Sequence, residues 1–109
     1  MPLCANATQI VPGDYEKTFN IAFPSYRGTT SLTDFPVLIR LSAALNDFKY
    51  SACKVLNGGD LRFADADGNL LASEIDTWDV NGESLVWVKV PSFNKNTMIK
   101  AYYGCANPP

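Results

Sequence analysis

At 109 residues the chain is the size of one domain, and its composition (47% hydrophobic, 18% charged) suits a buried core and excludes disorder. A net charge of −2, with nine Lys and Arg scattered along the chain, excludes a phosphate-tracking nucleic-acid surface. No apolar run approaches the roughly 20 residues of a membrane helix, and without His neither a zinc ligand set nor the usual catalytic triads can be assembled.

From the start, Met1-Pro2-Leu3-Cys4-Ala5-Asn6 shows neither the basic start nor the apolar stretch of a signal peptide; we read Met1 as a cloned start on a segment of a longer secreted protein. Asn6-Ala7-Thr8 is a glycosylation sequon by pattern alone. Residues 1–14 read as a tail and 15–107 as one domain. Thr18 to Phe23 alternates, with Phe19, Ile21 and Phe23 on one face. Val37, Ile39 and Leu41 do the same. Leu41, Leu45 and Phe48 instead fall at helical spacing, which allows one short helical turn near residues 41–50, capped by Ser42.

Asn57-Gly58-Gly59 then precedes a strand in which Leu61 and Phe63 alternate with Asp60 and Arg62. Asp67-Gly68 is a hairpin turn, and Asn81-Gly82 links Trp78 to Leu85. Val86, Val88 and Val90 form one strand face and Leu85, Trp87 and Lys89 the other, with Pro91 expected to end the strand. In Met98 to Tyr103, Ile99, Ala101 and Tyr103 oppose Met98, Lys100 and Tyr102. Short alternating strands with Gly and Asn turns predict an all-β fold, an antiparallel two-sheet β-sandwich of jelly-roll-like type. The expected core is Phe19, Ile21, Val37, Ile39, Leu61, Phe63, Val86, Val88, Val90 and Ile99.

The candidate chemistry is sparse. Asp65 and Asp67 alternate before Gly68 as in a calcium loop, but Phe63 stands where a ligand is required, and an Asp-stabilised turn explains the same residues. Glu74, Asp76 and Asp79 are the densest carboxylates; they fit a glycosidase pair only in a cleft, and otherwise an ion-pair network with Arg40, Arg62 or Lys89. We therefore expect no catalytic residues, no metal and no cofactor. Cys53 and Cys105 lie in Gly-rich, loop-like settings, and a Cys53–Cys105 disulfide is expected, with Cys4–Cys105 as the alternative. Trp87 points away from the valines beside Lys89, and an exposed indole among charges can stack on a sugar ring; the competing reading packs it in a second small core. Trp78 and Tyr26, in loops, are further stacking candidates.

Asp60-Leu61-Arg62-Phe63, Asp65-Ala66-Asp67-Gly68, Glu74-Ile75-Asp76-Thr77-Trp78, Val86-Trp87-Val88-Lys89-Val90-Pro91 and Tyr102-Tyr103-Gly104 occur in that order. In these motifs the chain, from about Tyr15 to Asn107, resembles the bacterial domain-of-unknown-function family 2341. It departs from that pattern at Tyr15-Glu16-Lys17, where an aromatic-Arg-Lys stretch is usual, and at Cys105, where Asn is common. The resemblance implies a β-sandwich in a large secreted or cell-surface protein, often beside lectin-like domains, and with it an accessory role in glycan handling or adhesion. The expected function is a non-catalytic carbohydrate-binding module, the alternative a structural or adhesive domain without a glycan ligand. Partners would be a polysaccharide or neighbouring domains, with no nucleic acid and no membrane insertion. The expected ligand-binding face carries Trp87, Lys89, Arg62, Glu74 and Asp76, with Tyr102 at its margin.

Overall fold

The alternating segments become strands β1 (Tyr15–Ala22), β2 (Leu32–Ser42), β3 (Arg62–Ala64), β4 (Leu70–Leu71), β5 (Ser73–Thr77), β6 (Glu83–Phe93) and β7 (Met98–Cys105) in a computed structural model that describes residues 9–24, 26–45, 48–53 and 56–105. They pair antiparallel into a four-stranded sheet, ordered β1-β7-β3-β4, and a three-stranded sheet, ordered β2-β6-β5. The chain is thus an all-β two-sheet sandwich, as alternation predicts.

Each sheet turns one set of alternate residues inward. Val37, Ile39 and Leu41 of β2 and Val86, Val88 and Val90 of β6 meet Phe63 of β3 and Ile99, Ala101 and Tyr103 of β7 in one core. Burying each large aliphatic or aromatic side chain contributes about 1.5–3 kcal/mol, so this layer dominates stability. Phe19 and Ile21 join the core half-buried, because β1 is an edge strand. Aromatic clusters add to it: Phe48 packs on Tyr50 and Tyr103, and Phe93 on Phe23, Tyr26 and Phe35, with ring centroids 4.8 to 5.1 Å apart.

Among the described residues of 41–50 no α-helix forms. Leu41 is the last inward residue of β2 and fully buried, and Ser42 ends the strand in a turn in which its carbonyl accepts the Leu45 amide. Phe48 returns to the core from the far side of that turn, which accounts for the helical spacing, and a 3-10 turn follows at Tyr50–Ala52. Asn46 and Asp47 lie outside the described residues.

Pro91 does not end its strand. The Lys89 amide bonds the Ala72 carbonyl beside β5, so two residues on Pro91 directs its missing amide to the same side, past the first residue of β5. The ladder with β2 continues through Ser92 and Phe93.

The Asp65–Asn69 turn joins β3 to β4 as a hairpin, with Gly68 at φ 84°. Asp65 Oδ1 accepts the amides of Asp67 and Asn69, and Oδ2 accepts the Asn69 side chain. The Asp side chain therefore serves the turn, the structural reading of the calcium-like motif. Gln9, read as tail from sequence, bridges Asn69, and the Ile10 amide bonds the Gly68 carbonyl, so order begins before Tyr15. The sequon lies outside the described residues.

The expected Cys53–Cys105 bridge is not formed. Cys53 is a free, half-buried thiol, whereas Cys105 is disulfide-bonded. The alternative pairing involves Cys4, which lies outside the described residues. A different contact ties the loop before β3 to the end of β7. Asp60, 1% exposed, accepts the amides of Gly104 and Cys105 at 3.0 and 3.1 Å on Oδ2. Gly104 sits at φ 73°, and a side chain there would meet the Ala52 carbonyl at 3.0 Å, so only Gly fits this close approach.

Candidate functional site: the outer face of the three-stranded sheet

Because Val86 and Val88 are fully buried, the residue between them must face outward, and Trp87 is 41% exposed. Register builds the surroundings. Leu38 of β2 and Glu74 of β5 flank Trp87 directly, forming a row across the sheet. In the adjacent row Pro36 stands beside Lys89. Trp87, Lys89, Glu74, Pro36, Ala72 and Ser73 line a shallow depression of about 260 Å³, together with the backbone of Val88. This is an exposed indole with one cation and one carboxylate beside it.

Three of the six expected site residues therefore lie together: Trp87, Lys89 and Glu74. Asp76 is displaced by a register shift between Ile75 and Thr77, which leaves it without a partner position on β6 and breaks the alternation that would align it with Glu74. Arg62 and Tyr102 are on the other sheet. They are register partners on β3 and β7, and since Phe63 and Ala101 face the core, Arg62 and Tyr102 face the opposite side of the sandwich from Trp87. Tyr102 is only 5% exposed, its ring 5.7 Å from that of Tyr15. The Arg62 guanidinium donates to the carbonyls of Gly59 and Leu61 at 2.8 and 2.9 Å. Burial pushes the Tyr15 phenol above its ordinary pKa; Arg62 opposes that rise, and Asp14 and Asp60 add to it.

The other candidates are structural. Trp78 packs edge-on against Phe48 and Tyr50 and covers Gly58, where a side chain would meet the indole at 2.7 Å. Tyr26 donates to the Thr30 carbonyl and packs on Phe93. Asp79 caps its own turn by accepting the Asn81 amide. One polar centre escaped sequence reading. Ser84 is fully buried on the inner face of β6, accepts the Asp79 amide at 2.9 Å and bonds the Tyr50 hydroxyl at 2.7 Å. Since Tyr50 can donate to the Leu41 carbonyl, Ser84 completes the chain by donating to Tyr50.

Three clefts are larger: one of about 370 Å³ lies between the turn at residues 65–67 and the β6–β7 connection, and two open along the sides of the sandwich. One, of about 450 Å³ between β1 and β2, is lined by apolar side chains including Phe19, Ile21, Phe23 and Phe48, with Arg40 and Asn20 as its polar members. The other, of about 600 Å³ beside β4 and β5, is lined by Leu61, Leu70, Leu71 and Ile75 with the Gly58-Gly59 backbone and Arg62. None of the three sets an exposed indole between opposite charges.

The model of the family described as "Domain of unknown function (DUF2341)" matches residues 57–109, the span from the turn before β3 through the last strand. The motif segments that carry the resemblance lie in that span; Tyr15 to Leu56 lie outside it. No curated protein and no solved structure matches the chain.

Proposed function

Residues 57–109 belong to the DUF2341 family, and from that premise we propose that this domain is a non-catalytic carbohydrate-binding module of a larger secreted or cell-surface protein. The observation that carries the reading is the exposed Trp87 between Glu74 and Lys89 on an otherwise well-packed sheet. The apolar C–H face of a sugar ring stacks on an indole, while its hydroxyls take hydrogen bonds from an ammonium and give them to a carboxylate. The non-catalytic reading is supported by the β5 register shift, which breaks the alternation that would set Glu74 and Asp76 on one face as a pair. The alternative is a structural or adhesive domain, for which the partly covered Leu38 and Leu85 around Trp87 would form a protein contact.

Glycan arrays and polysaccharide pull-downs with the purified domain test the proposal. Binding to a defined set of glycans, lost in Trp87→Ala, is the expected result. No glycan binding at any workable concentration would favour the structural alternative.

A further inference from the structure

The exposed face continues beyond the Trp87 depression. After the row of Leu38, Trp87 and Glu74 comes a row of Arg40, Leu85 and Thr77, and then Ser42 beside Glu83. Alternation sets Trp87, Leu85 and Glu83 on the same side of β6, with Leu38 and Arg40 beside them on β2. Arg40 reaches diagonally across the ladder to Glu83, Nη1 to Oε1 at 2.8 Å, and both side chains remain open to solvent at 63% and 49%. The face thus presents an indole, an apolar floor of Leu38 and Leu85, and then an exposed pair of opposite charges. Strand rise separates Glu83 from Trp87 by about 13 Å, the span of roughly three sugar rings in an extended chain.

Two features define what such a face would take. Among the described residues, all those lining the depression lie in or next to β2, β5 and β6, so none of its walls is a projecting loop. A chain terminus would need such a wall; an interior stretch does not. Lys89 and Arg40 are balanced by Glu74 and Glu83, so the row carries no net field that would select a polyanion.

Building on the glycan-binding reading, we infer that the ligand is the interior of a linear, uncharged polysaccharide lying along β6, with Arg40 and Glu83 as a second subsite beyond Trp87. Arg40 donates to sugar hydroxyls and Glu83 accepts from them, each exchanging part of its ion pair for the ligand. An exposed ion pair contributes little to stability, so its removal leaves the fold intact.

The test is calorimetric titration with cello-, xylo- and manno-oligosaccharides of two to six units, and with polygalacturonate as the charged control. Affinity should rise about tenfold between the shortest and the four-unit oligomers and then level off. The double variant Arg40→Ala/Glu83→Ala should lose that gain while keeping the affinity for the shortest oligomers. Trp87-dependent binding that is indifferent to chain length overturns the second subsite alone, and preference for polygalacturonate overturns the uncharged class. Absence of binding to every oligomer and to every arrayed glycan overturns the parent reading as well.

Discussion

Replacing Asp60 by Ala removes the acceptor that holds the end of β7 to the loop before β3. The carboxylate is 1% exposed and receives two backbone amides, those of Gly104 and Cys105. Hydrogen bonds to a charged acceptor contribute about 1.5–3 kcal/mol each, and the truncation leaves two buried amides without their acceptor, so the expected cost is about 3–5 kcal/mol. At roughly 4 °C per kcal/mol for a domain of this size, the melting temperature should fall by about 12–20 °C. Asp60→Asn keeps a neutral oxygen in place and should recover about half of the loss. Urea unfolding followed by Trp fluorescence gives the midpoints for both variants. An Asp60→Ala protein within about 0.5 kcal/mol of the parent, the range of an inert surface change, would refute the clamp.

Other expectations follow from single residues. Partial burial raises the Asp65 carboxyl, but the hydrogen bonds from Asn69, Asp67 and Gly68 outweigh it and hold its pKa below the ordinary value. Its contribution to stability is therefore fully present above the unfolded pKa of about 3.9 and lost as pH falls through the lower folded value, so the stability gap between the parent and Asp65→Ala should be constant near neutrality and shrink in acid. The Cys53 thiol, pushed up to about 11 by burial and then by Asp60, should alkylate on the order of 100-fold more slowly at pH 7.5 in the folded protein than after unfolding. Peptide mapping without reduction should recover Cys53 as a free thiol, and a Cys53–Cys105 peptide would contradict the structure. Ser84→Ala should cost about 1–3 kcal/mol in chemical unfolding, because the Asp79 amide loses its acceptor and the Tyr50 hydroxyl loses its donor, keeping only the Leu41 carbonyl.

Alternation made the inner faces legible. Val86, Val88 and Val90 could only be core once Trp87 and Lys89 were set opposite them, and the structure buries all three. What alternation cannot give is the sheet to which an outward residue belongs. Arg62 and Trp87 both point away from the core, but Arg62 pairs with Tyr102 in one sheet and Trp87 with Glu74 in the other, so a face assembled from sequence divides into two. Asp76 was misplaced for another reason: the register shift in β5 depends on its pairing with β6, which no local pattern records. Asp60 read as the outward partner of Leu61 because the strand that buries its carboxylate lies more than forty residues away. Pro91 was expected to stop its strand because it lacks an amide, but the neighbour on its amide side has already ended there, a pairing that no local pattern records.

The central claim, that the Trp87 face is a glycan platform, is tested most directly by pairing ligand titration with thermal unfolding of Trp87→Ala. The indole is 41% exposed and lies outside the core, so the melting temperature should hardly move. Affinity for the array-selected glycan should fall by about 1–3 kcal/mol, the cost of losing one aromatic stacking partner in other polymer-binding grooves. A variant that binds as well as the parent, or one destabilised by about 3–5 kcal/mol as for a buried Trp, would contradict the claim.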